Sequence, residues 1–222
     1  MTPDTADLIH RIAAAGAPAR PLAPPWTRAG IWCALSLPSL WLLYLVWPHA
    51  EAAVLFDRRF AIEQAAALAT GLGAAAAAFG TIVPGYSRTI VLGPLAPLAF
   101  WLGNLGRLCA RDWSAPGDLP PILIDWPCFP ATVLAGIVPA LVMVVMLRRG
   151  APLTPRRTTA LGALAVAGVA NFGIRFVHPF DASFIVLAWH VGAVFALSAA
   201  VASFGDRIVS WQKAIDASRV GA

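Results

Sequence analysis

Residues 129–157 read FPATVLAGIVPALVMVVMLRRGAPLTPRR. From Phe129 to Leu147 nothing is charged, and the run stops at Arg148 and Arg149. A helix needs about 20 mostly apolar residues to cross a bilayer, so this stretch reads as a transmembrane span with a charged stop. The loop behind it carries four arginines, Arg148, Arg149, Arg156 and Arg157, and no acid. Lysine and arginine accumulate in cytoplasmic loops, which makes this loop the strongest single marker of orientation.

Five further runs of similar length flank it. Including the first, the six expected spans are about Gly30–Trp47, Phe60–Val83, Thr89–Leu108, Phe129–Leu147, Thr158–Val177 and Ser183–Phe204. Pro38 predicts a kink in span one, and Pro94 and Pro97 blur the boundaries of span three. Span two is an alanine and glycine run that favours close helix packing. Composition agrees: of 222 residues, 59% are hydrophobic and 12% charged. A soluble fold carries about 25% charged residues, which excludes a large water-facing catalytic or nucleic-acid-binding domain. The expected fold is therefore an all-α integral membrane protein, a six-transmembrane-helix bundle with a short cytoplasmic N-terminal helix.

The net charge of +5 then becomes topological. On the six-span map, 11 of the 16 basic residues fall on one side: Arg11, Arg20, Arg28, Arg88, Arg148, Arg149, Arg156, Arg157, Arg207, Lys213 and Arg219. The other 5 are Arg58, Arg59, Arg107, Arg111 and Arg175, in the company of most of the acids. Both termini are thus expected in the cytoplasm. Residues 1–29 form a cytoplasmic helix and linker, 30–204 the membrane domain and 205–222 a cytoplasmic tail. The first 29 residues lack the apolar core of a cleavable signal peptide and are expected to stay on the mature chain.

The amino-terminal segment has its own pattern. Thr2–Gly16 reads as a short helix, with Thr2 as N-cap, Pro3 at the first helical position and an apolar face of Leu8, Ile9 and Ile12. It is too short to be stable alone in water, so it orders against a partner or the bilayer. Residues 17–26, APARPLAPPW, are expected to be an extended, Pro-rich linker. A helix on such a stalk can offer a small apolar face to a protein groove; a plain interfacial anchor fits the same pattern.

Polar residues in the spans gather toward the outer side. Asn171, Arg175 and His178 share one face of span five, and Asn104, Arg107 and Arg111 one face of span three. Glu63, Gln64, Cys109, Cys128, Asp181 and His190 join them on this topology. Polar groups within spans mark function or helix contacts. The structural reading pairs Arg175 with Asp181 or Glu63, lets Asp181 cap span six, and hydrogen-bonds His190 to a neighbouring helix. The functional reading makes the cluster a site. No H-x-x-x-H, C-x-x-C or H-E-x-x-H spacing exists, so the identity of any metal stays unknown. No cofactor is expected. Cys109 and Cys128 both fall on the outer side, where an oxidising compartment permits a bridge.

The carboxy-terminal half carries a resemblance. Leu147-Arg148-Arg149-Gly150-Ala151-Pro152, Pro155, a small-residue helix ending at His178, then Asp181, Ser183 and Trp189 resemble the NrsF family of bacterial inner-membrane anti-sigma factors. Trp126-Pro127-Cys128 and the Leu8-Ile9 helix with its Pro-rich linker are similar to that family as well. The resemblance implies six spans and a non-enzymatic regulator. It implies a chain that holds an extracytoplasmic-function (ECF) sigma factor at the membrane and releases it under oxidative or heavy-metal stress. Sigma-factor binding is then expected at Leu8, Ile9 and Ile12, and stress sensing at Cys128, Cys109, His178, Asp181, Arg175 and His190. The expected partners are the sigma factor and the lipid bilayer, with a heavy-metal ion or oxidant as signal and no direct nucleic acid. By resemblance Cys128 matches a stress-linked cysteine. A second family cysteine commonly follows the motif histidine; here Pro179 stands there, and Cys109 is the thiol that could replace it. The alternative reading is a small transporter or permease-like subunit with a polar path at Arg175, His178 and His190. Against it, no paired, broken segments occupy corresponding halves.

Overall fold

A computed structural model describes residues 5–15, 22–46, 56–114, 128–150, 152, 154–176 and 192–208. Among them every regular element is helical: α1 Thr5–Ala15, α2 Pro25–Val46, α3 Arg58–Gly80, α4 Arg88–Leu92, α5 Leu95–Ser114, α6 Cys128–Arg148, α7 Pro155–Ile174, α8 Gly192–Ser203 and α9 Gly205–Ile208.

Among the described residues, four stretches are long and apolar enough to cross a membrane: Pro25–Val46, Arg58–Gly80, Arg88–Arg111 and Pro155–Ile174. A shorter apolar stretch, Val133–Arg148, lies in α6. Span six is represented by α8 alone, since 183–191 lie outside the described residues. Span one starts earlier than expected. Pro25 and Trp26, assigned above to the extended linker, are helical, because proline at a first helical position gives up an N–H that has no helical partner anyway. Span three is broken at Gly93–Pro94, where Pro94 supplies no N–H to continue α4; the second piece runs on to Ser114. In α1, Thr2 and Pro3 lie outside the described residues, as does the side chain of Ile12.

Small residues decide the centre of the bundle. A Cβ added to Gly168 of α7 would lie 2.8 Å from the Gly71 Cα of α3, so these two backbones touch. Close approach of this kind holds helices together in a bilayer, where water supplies no drive. Ala74 to Gly80 of α3 are all buried. Around this pair, Trp32 and Leu40 of α2, Met143 and Leu147 of α6 and Val169 of α7 complete one core. Leu98, Trp101 and Leu105 of α5 form a second with Ala66 and Ala67 of α3.

The outward surface is apolar too. In α6, Leu134, Ile137, Val138, Leu141 and Val145 form an exposed helical face, while Ala135, Met143 and Leu147 are buried. In α2, Ile31, Leu35, Trp41, Leu42 and Leu45 are exposed, while Arg28 and Ser36 are buried. Helices apolar on every side suit a hydrocarbon environment, and so continuous an apolar surface does not suit water.

Candidate functional site

Helix polarity brings the sequence-predicted polar residues of α3, α5 and α7 to one end of the bundle. There Arg175 caps the C-terminus of α7, its backbone N–H donating to the Asn171 carbonyl. Its Nη2 donates to Glu63 Oε2 in the first turns of α3 at 3.2 Å, with both side chains more than nine-tenths buried. This is one of the two pairings that the structural reading offered; the other partner, Asp181, lies outside the described residues. The guanidinium also stands 5.9 Å from the Phe60 ring centroid. Phe60 meets Phe176 edge-on, and Phe176 meets Phe172. Gln64 and Asn171 are buried alongside, and the Gln64 Oε1 has no hydrogen-bond partner among the described residues. Glu63, Gln64, Ala67, Trp101, Asn171 and Arg175 enclose a cavity of about 10 Å³. That space fits about one water molecule, a natural donor to an orphaned amide oxygen.

Of the six expected sensing residues, Arg175 and Cys109 are described in side-chain detail. Cys109 continues the face of α5 that carries Trp101 and Leu105, one turn further out, and is a partly exposed free thiol. Asn104 accepts a hydrogen bond from the exposed Arg107. Cys128 begins α6, but its side chain lies outside the described residues, as do His178, Asp181 and His190. Among the described residues no three His, Cys, Asp or Glu groups are placed to hold a metal. In α1 the expected contact residues Leu8 and Ile9 are exposed, and Arg11 pairs with Asp7 one turn away.

The opposite end, rich in arginine, contains contacts that the sequence reading missed. Arg28 is buried at the start of α2, where its Nη2 donates to the Met146 carbonyl at 2.9 Å and its guanidinium stands 4.4 Å over the Phe79 ring. One turn on, the Trp32 indole donates to the Pro139 carbonyl of α6 at 2.9 Å. The i, i+4, i+8 series Arg28, Trp32, Ser36 was a readable signal: three polar-tipped residues on one face of an otherwise apolar helix. Two arginines of the 148–157 loop hold the chain after α8. Arg148 Nε donates to the Ile208 carbonyl at 2.8 Å, and Arg156 Nε pairs with Asp206 at 2.9 Å. Thr81 and Thr158 share a 2.7 Å hydroxyl hydrogen bond that ties the α3 turn to α7.

An apolar-surfaced helical bundle with a buried ion pair and four membrane-length stretches among its described residues has the features of an integral membrane protein. The family model described as NrsF, negative regulator of sigma F, matches residues 12–211. The chain belongs to the NrsF family of anti-sigma factors, which is regulatory rather than enzymatic and has a sigma factor as partner. No curated protein and no solved structure matches the chain.

Proposed function

We propose that this chain is a six-span, bacterial inner-membrane anti-sigma factor with both termini in the cytoplasm. It sequesters an ECF sigma factor through Leu8, Ile9 and Ile12 of α1 and releases it on oxidative or heavy-metal stress. Sensing falls to Cys128, Cys109, His178, Asp181, Arg175 and His190 on the outer side. The observation that carries the reading is the family match over residues 12–211 of a chain whose described residues include four membrane-length helices. Two features support the finer assignment. Leu8 and Ile9 leave an apolar face uncovered on α1. Arg175 and Cys109 stand at the end of the bundle away from the arginine loop.

The match begins at residue 12, so Leu8 and Ile9 rest on the helix pattern and its exposure. The test is affinity purification of the full chain from its host membranes, with and without residues 2–20. A sigma factor is expected to co-purify with the full chain and to be lost with the truncated one. Equal capture by both, at equal membrane levels, would remove α1 from the mechanism.

A further inference from the structure

The arginine end is built as a surface, and its free charge exceeds what the chain itself uses. Arg28 is buried, Arg148 is spent on the Ile208 carbonyl and Arg156 on Asp206. Asp206 is the one acid among the described residues of the 80–88, 147–158 and 205–208 segments. Arg88, Arg149 and Arg157 are exposed with no hydrogen bond or ion pair among the described residues, and Arg207 reaches only the Phe204 ring, at 5.8 Å. These arginines stand on a fastened base. Gly205 sits so close to Thr159 and Arg156 that an added Cβ would fall 2.6 Å from the Thr159 hydroxyl, and Gly150 is equally tight against Ile82. Orientation alone requires positive loops but not ones clamped to each other in this way.

The helix α1 leaves the bundle at this same end. Ten peptide steps separate Ala15 from Pro25, so the C-terminal end of α1 lies within about 35 Å of the foot of α2, even with the chain fully extended. Whatever α1 grips is thereby held above the free arginines at high effective concentration. A basic partner face would be repelled there, and an acidic one drawn in.

We propose that Arg88, Arg149, Arg157 and Arg207 form a second docking surface, which takes an acidic face of the sigma factor held by α1. This rests on the anti-sigma reading and adds a second contact to it. The α1 contact supplies apolar anchoring; the arginine surface supplies charge attraction, orientation and salt dependence.

The experiment uses the full chain in phosphatidylcholine nanodiscs and the sigma factor identified by co-purification. The R149E/R157E variant is expected to bind at least about tenfold more weakly at low salt, with a flatter salt dependence than the unaltered protein. R149Q/R157Q is expected to fall between the two, which guards against misfolding in the reversal variant. Binding within about twofold of the unaltered protein for both variants would overturn the surface while leaving the anti-sigma reading intact. An unaltered chain that binds no sigma factor would end both. A reversal effect seen only in discs containing phosphatidylglycerol would assign the arginines to lipid headgroups and overturn the proposal.

Discussion

Glu63 and Arg175 show how one contact can be legible in sequence while its surroundings are not. The arginine near the end of a span and the acid near the start of another announced a pair, because neither charge is tolerable alone at membrane depth. The orphaned Gln64 oxygen and the contribution of Trp101 to the same small cavity depend on how three helices rotate about their axes, which spacing within one helix does not fix. Arg175→Met is expected to lower stability by about 3–5 kcal/mol, since it leaves the Glu63 charge buried beside an apolar side chain. The double change Glu63→Leu with Arg175→Met is expected to recover much of that loss, because it removes both desolvated charges together. Thermal unfolding of the four proteins in detergent gives the cycle. A double variant no more stable than Arg175→Met would mean that the pair is not the main partner of either charge.

Among elements, α3 and α7 carry the fold through their lack of side chain. Gly71 and Gly168 let two backbones meet, whereas Gly103 and Gly106 of α5 face open space. Gly168→Leu is therefore expected to separate the helices and abolish the folded form, seen as loss of monodisperse protein in size-exclusion chromatography. Gly103→Ala is expected to leave the fold intact and stabilise it by up to about 1 kcal/mol, through better helix propensity at an unobstructed position. The alanine and glycine bias of span two was plain in the sequence, and so was its packing role. What could not be read was the helix that it packs against, since several spans are rich in small residues. The break at Gly93–Pro94 was foreshadowed by its prolines, but the extension of α5 to Ser114 past Arg107 and Arg111 was not. Exposed arginines at a helix end stay solvated and do not halt the backbone, so hydropathy alone stopped that helix too early.

For the molecule as a whole, hydropathy revealed an all-helical membrane architecture, because a bilayer demands long apolar helices and little else. The orientation proposed from charge counting expects a phosphatase reporter fused near Gly117 to be active, as only an extracytoplasmic location permits; an inactive, stably expressed fusion would invert the topology. The contacts of the arginine end were hidden because the sequence marks those residues for topology whether or not they also bind one another. The burial of α3 and α7 has a last consequence, which concerns biogenesis. More than half of each is buried, against about a fifth of α2, yet they are the two least apolar of the four membrane-length stretches. Glu63 is synthesised 112 residues before Arg175, so the nascent α3 meets the membrane with a charge whose counter-ion has not yet been translated. On the six-span reading, stable integration of α3 is thus expected to depend on the arrival of α7, with the insertion machinery sheltering a half-built pair while the chain between them is made.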